Sequence, residues 1–280
     1  MEAKTGYGLE TKAELRALQS ILELDAAQPL DLVPTHLGAH AIPPEFESDA
    51  DGFTSLICTE MLPETAEWWQ AHAPETPLPL VDVFCEEGAF SLEQSRRVLE
   101  TAKDLGFPLK IHADEFNGLG GTLMAVELGA TSADHLVQTP DVDIQALGRS
   151  DTVAVGLPCT PFGLAEREYT PAKKIMAAGG QLALATDMNP GDAWCDSMQF
   201  AIAIACRYMR LTPAQAIAAA TINGAAAIGR ADRIGSLEDD KQADVLILDL
   251  PEYRHLGYRY GSNHVHTVVK NGHLVAETMN

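Results

Sequence analysis

The chain has 280 residues, 46% of them hydrophobic, enough for one large buried core or one core with a small satellite. Its 40 aspartates and glutamates against 19 lysines and arginines leave a formal net charge of −21, which argues against nucleic acid and anionic membranes as partners. No run approaches the ~20 apolar residues of a membrane span, and five scattered cysteines without a Cys-x-x-Cys pair argue against a disulfide framework or zinc ribbon.

The opening residues Met1-Glu2-Ala3-Lys4 read as neither signal nor transit peptide, so with this cysteine usage a soluble, cytoplasmic protein is expected. A short extended segment, 2–5, turns through Gly6-Tyr7-Gly8 into a helix with apolar positions at Leu15, Leu18, Ile21 and Leu22. Residues 32–36 read as a strand, followed by a loop holding His40 and a helical stretch to about His72. Residues 81–85 form the next strand, and Ser91 with Gln94 three residues on is a capping-box start for a helix. Strands are expected at 109–111, 131–133, 152–157 and 181–185, with helical runs between them. A helix over 212–228 opens Thr-Pro, a good cap followed by proline in the first turn.

Seven strand–helix units in alternation predict a parallel sheet, and a (β/α) barrel uses eight. No Gly-x-Gly-x-x-Gly follows a strand, so an open dinucleotide-binding sheet has little support, and the barrel is the better reading. From about residue 233 the pattern changes to alternating β-branched runs, 243–248 and 266–270, with Asn271-Gly272 as a hairpin turn before Leu274-Val275. So short a β-module cannot bury both faces alone and is expected to need a further sheet partner. Acidic residues are dispersed and lysine is scarce (8 against 11 arginines), a surface suited to a high-salt cytoplasm.

Reactive side chains fall after the strands, the face on which barrel enzymes assemble their sites. His112 ends an apolar run and is followed by Asp114 and Glu115; strand alternation puts His112 and Asp114 on one side unless the chain turns there. His135 ends the next run, and Asp187 ends the run from Leu182 to Ala185, where burying a carboxylate without a cation is costly. Each alone could be a solvated turn; three in order, one per strand, point to a metal and its activated water. The pair His264 and His266 has the His-x-His spacing, but it lies in the β-module and reads as an ordinary polar face.

The runs VDVFCEEGAF (81–90), IHADE (111–115) and DMNPG (187–191), with KTGYGL (4–9), LGAHA (37–41) and SADHL (132–136), resemble the imidazolonepropionase family of the amidohydrolase superfamily. The segment 235–244 matches as well, so the resemblance runs the length of the chain. It implies an α/β fold, a metal-dependent hydrolase (β/α)8 TIM-like barrel lacking its first strand, plus part of a small β-sandwich domain. Residues 1–230 would supply barrel strands two to eight and 231–280 the C-terminal part of the β domain.

The implied reaction is hydrolysis of the lactam of 4-imidazolone-5-propanoate to N-formimidoyl-L-glutamate, in histidine degradation. The resemblance implies one divalent ion, zinc or iron, with His112 and Asp187 as ligands, and His135, Glu115 and Asp187 as catalytic groups. It places Tyr7, His40, Glu115, Asn189, Gly191 and Asp192 at the substrate, although Asp192 stands where the family more often has serine or threonine. Glu86 and Glu87, rather than the lysine of two-metal relatives, end the fourth barrel strand, so the site is expected to be mononuclear. A small-molecule substrate is implied, and family members tend to form homodimers. The His-x-His of the first barrel strand and an arginine for the propanoate are expected before Met1. The alternatives are therefore a different mononuclear amidohydrolase, such as a ring deaminase, and a catalytically dead fragment.

Overall fold

The computed structural model describes residues 1–278. Seven strands, β1 (Glu2–Lys4), β2 (Val33–Ala39), β3 (Leu80–Cys85), β4 (Lys110–Ala113), β5 (Ser132–His135), β6 (Val153–Gly156) and β7 (Leu182–Leu184), follow chain order in one sheet. Parallel registers set Glu2 opposite Val33, Thr35 opposite Leu80, Phe84 opposite His112 and Ala154 opposite Leu182. Strands β2 to β7 are buried almost without interruption, as parallel strands covered on both faces must be.

The chain divides into two compact units, 1–133 with 138–143 and 134–137 with 144–280, so the boundary cuts β5 after Ala133. In the first unit α1 (Thr11–Ala27), α2 (Ala50–Leu56), α3 (Leu62–His72), α4 (Leu92–Asp104) and α5 (Gly121–Leu128) flank the strands. Asp49 caps α2 by accepting from Gly52 N, and the capping box at Ser91 and Gln94 forms as read. A π turn at Ile57–Met61 joins α2 to α3, so that stretch is nearly continuous. Leu18, Trp69 and Ala73 bury against Leu15, Leu22, Trp68 and Leu78, fixing α1 on α3.

α6 (Asp141–Leu147) crosses the boundary, and α7 (Cys159–Gly163), α8 (Ala172–Ala177), α9 (Met198–Arg207), α10 (Pro213–Ala220) and α11 (Ile222–Ala227) belong to the second unit. The helix read over 212–228 is thus two helices. It breaks at Thr221 (φ −121°, ψ −93°), where a β-branched pair is followed by Asn223-Gly224 and the Thr221 hydroxyl bonds back to Ile217 O. The unit's core packs Val153, Val155 and Leu157 on Ala183 and Ala227.

The β-module is a three-stranded antiparallel sheet, ordered β10 (His273–Glu277), β9 (Val265–Lys270), β8 (Val245–Leu248), with the hairpin at Asn271-Gly272. Within its unit it is tied to α9: Gln199 bonds Asn263, Arg207 donates to Gly257 O, and its guanidinium lies 4.9 Å from the Tyr260 ring. All five residues of β10 are exposed. Among the described residues no helix is long and apolar enough to cross a membrane.

Candidate active site

In the first unit several of the side chains singled out from the sequence gather around His112, near the end of β4. Its Nδ1 lies 3.0 Å from the carboxylate of Asp82, on β3. A carboxylate only accepts here, so Nδ1 donates. Asp82 is fully buried and is held 2.6 Å from Lys4 Nζ, while Lys110, also buried, pairs with Glu2 at 2.9 Å. Burial opposes ionisation of Asp82, but the charges of His112 and Lys4 and the hydrogen bond from His112 outweigh it and hold the carboxyl far below the usual range. The sequence reading missed this network. Its signal was an acid inside the apolar run from Val81 to Val83, and Lys110 two residues before His112, on the same strand face.

His112 and Asp114 do not share surroundings. Asp114 takes a left-handed backbone (φ +53°), so β4 stops there and the chain turns. The Asp114 carboxylate instead accepts from Thr122 Oγ1 at 2.5 Å and Thr139 Oγ1 at 3.0 Å. Glu115, next in the chain, is buried. Glu86 at the end of β3 fixes the loop beyond by accepting from Phe116 N, Asn117 N and Asn117 Nδ2 at 2.9 to 3.2 Å.

His40 follows β2 directly and Tyr7 follows β1; their rings meet edge-on with centroids 5.0 Å apart. The His40 ring lies 6.4 Å from that of His112. His40 Nδ1 is 2.9 Å from Gly6 O, and burial lowers its pKa against the opposing effect of that bond. Tyr7, His40 and His112 are thus brought together.

In the second unit His135 ends β5 with φ +77°, and Asp187, beyond β7, has φ +55°. His135 Nε2 lies 4.0 Å from Asp187 Oδ2, the oxygen to which Thr160 donates at 2.7 Å. Thr170 Oγ1 donates to His135 O at 2.6 Å, holding the strained strand end. Neither threonine carries a sequence pattern that singles it out. Asn189 builds the following loop: its oxygen accepts from Gly191 N and Asp192 N, and its amide donates to Asp187 O and Asp192 Oδ1. The Asp192 carboxylate is therefore held by that amide. His264 is buried and lies just before β9, and His266 bonds its neighbour Thr267, so the two do not form the ordinary polar face read for the pair.

A model of the family described as "Amidohydrolase family" matches residues 58–275. Among curated proteins the chain is 53% identical over 275 residues to an imidazolonepropionase of Herpetosiphon aurantiacus, covering 98% of this chain and 64% of that protein. It is 50% identical to another of that name from Chloroflexus aggregans, over 98% and 65%. The chain thus spans less than two thirds of the length of these curated relatives. Among solved structures it resembles a zinc-bound adenosine deaminase from Xanthomonas campestris, with TM-score 0.67 at 21% identity over 94% of this chain and 63% of that one. A mutant atrazine chlorohydrolase from Arthrobacter aurescens, complexed with zinc and atraton, gives 0.72 at 15% over 99% and 68%. At such identities the structural likeness is one of fold.

Proposed function

The chain belongs to the amidohydrolase family, and from that premise we propose that it carries imidazolonepropionase chemistry in the cytoplasm. The reaction is opening of the 4-imidazolone-5-propanoate ring by water to give N-formimidoyl-L-glutamate. The observation that carries this reading is the 53% and 50% identity, over nearly the whole chain, to proteins of that name. In this reading 1–230 form the catalytic barrel and 231–280 part of a separate β domain.

We assign His112 and Asp187 as ligands of one divalent ion, zinc or iron. The donor chemistry of His112 fits: its Nδ1 is engaged by buried Asp82, which leaves Nε2 basic and oriented, the arrangement that outer carboxylates give metal-binding histidines. Bound there, the ion supplies Lewis acidity and lowers the pKa of water toward ~7. Asp187 or Glu115 takes the proton of the attacking water and returns it to the departing ring nitrogen. His135, its backbone held by Thr170, stabilises the oxyanion that forms at the lactam carbon. Tyr7, His40 and Glu115 contact the substrate ring. Gly191 and Asp192 contribute through a loop that Asn189 shapes, since the four hydrogen-bonding positions of its amide are taken within that loop.

The test is turnover of 4-imidazolone-5-propanoate by the purified chain, with N-formimidoyl-L-glutamate identified by mass spectrometry and metal measured on the same sample. Formation of that product with about one zinc or iron per chain supports the reading. Ammonia release from an aminated ring, with no ring opening of the imidazolone, would replace it with a deaminase.

A further inference from the structure

We propose that Glu14 is a positioning residue: its carboxylate clamps the Gly6-Tyr7-Gly8 turn and thereby fixes His40 as the Nδ1–H tautomer. The proposal rests on the reading above in taking Tyr7 and His40 as substrate contacts. Glu14 stands in the first turn of α1, where an acid is ordinarily a solvated partner of the helix dipole. Here it is fully buried. Oε2 accepts from Gly6 N at 3.1 Å, and Oε1 accepts from Gly8 N at 2.8 Å and Leu9 N at 2.9 Å. A buried carboxylate serving three backbone N–H groups shapes the loop as an anion would.

The turn is moulded on that carboxylate. A Cβ on Gly8 would meet Glu14 Oε1 at 2.9 Å and Ala13 Cβ at 2.7 Å, so the carboxylate occupies the space a side chain would need. Gly6, at φ +111°, stands in a conformation few other residues adopt. The amide between Gly6 and Tyr7 lies between the Gly6 and Gly8 N–H groups that Glu14 holds, and its carbonyl faces His40 Nδ1 at 2.9 Å. A carbonyl oxygen only accepts, so Nδ1 carries the proton and Nε2 is left as an acceptor. An acceptor there suits a ring N–H of a cyclic amide, and the other tautomer would present N–H to N–H. The edge-on Tyr7 ring, carried by the same turn, completes the clamp.

Glu14→Gln is isosteric and tests this directly. The amide oxygen can serve Gly8 and Leu9, but its NH₂ then faces the Gly6 N–H, donor against donor; the flipped amide faces two such conflicts. Thr11→Val is the control. Thr11 also opens α1, but its hydroxyl bonds Glu60 rather than the turn. Long-range ¹H–¹⁵N spectra of the full chain at mildly alkaline pH report the His40 tautomer, and calorimetry reports binding of imidazole-4-propanoate.

The unaltered chain and Thr11→Val are expected to show His40 with Nδ1 protonated. Glu14→Gln should show a mixture or the Nε2–H form, and bind the probe about tenfold more weakly. An Nε2–H tautomer in the unaltered chain, or an unchanged His40 signal in folded Glu14→Gln, would overturn the proposal whatever the affinities. A changed tautomer with unchanged affinity upholds the positioning role of Glu14 and removes His40 from the proposed substrate contacts.

Discussion

Asp82 and Asp244 are both carboxylates held by lysine, yet they sit in opposite settings. Asp82 lies inside β3 with no exposed surface, bonded to Lys4 and His112. Asp244 precedes β8, keeps 31% of its side chain exposed, and is held by Lys270, Gln242 and the N–H of Asn271. Burial opposes ionisation of both, and in both the surrounding donors and cations win, lowering the pKa. The same contrast separates the two sheets: β2 is buried at all seven residues, while β10 is exposed at all five. The parallel sheet can hold charge in place because nothing else can solvate it, whereas in the antiparallel sheet water competes for every partner.

That contrast breaks if the two carboxylates respond alike to removal. The largest effect is expected for Asp82→Ala, which leaves half-buried Lys4 and buried Lys110 and His112 short of a counter-charge and costs about 3 to 5 kcal/mol of stability by urea unfolding. An Asp82→Ala protein as stable as its parent would sink the account. Ile111→Ala, deleting a fully buried side chain of β4, should cost about 2 to 4 kcal/mol, read as a lower midpoint at unchanged slope.

A third expectation concerns pH. His36, in β2, is wholly buried with Nε2 unpartnered, and burial lowers its pKa although Glu14 pulls the other way. Its folded pKa lies below its unfolded value of about 6.5, so in the window below 6.5 the unfolded chain binds the extra proton. Stability from this group is full above that pH and falls as pH drops. Unfolding midpoints at pH 7.5 and pH 5.5 should show the fall, and His36→Gln should flatten it.

Smaller effects belong to the exposed sheet. Asp244→Ala should cost about 1 kcal/mol, because solvent replaces part of what is lost. Leu274→Ala, at a residue 61% exposed, should change stability by less than about 0.5 kcal/mol. A Leu274 effect as large as that of Ile111 would mean that β10 is covered in solution.

Much of the parallel sheet was readable from its apolar runs: β6 and β7 lie within 152–157 and 181–185, while β4 and β5 overlap 109–111 and 131–133 and extend two residues beyond them. The helix over 212–228 misled, since an alanine-rich stretch scores as continuous helix while the break at Thr221 depends on local backbone bonding. At the site, His112, His135 and Asp187 were legible as strand-end residues. Their supports were not. Asp82, Thr160 and Glu14 are distant in sequence from the groups they hold or, like Glu14, look like ordinary helix acids. Such partnerships come from tertiary packing, which a single sequence does not display.

The left-handed residues at the strand ends carry a practical consequence. Asp114, His135, Leu136 and Asp187 all stand at φ between +53° and +77°, conformations that cost non-glycine residues about 1 to 3 kcal/mol each. Anyone breeding this chain for heat tolerance would find glycine favoured at these positions, and each gain at His135 or Asp187 would remove a reactive group. Libraries for thermal hardening should therefore hold these four codons fixed and draw their changes from the exposed sheet.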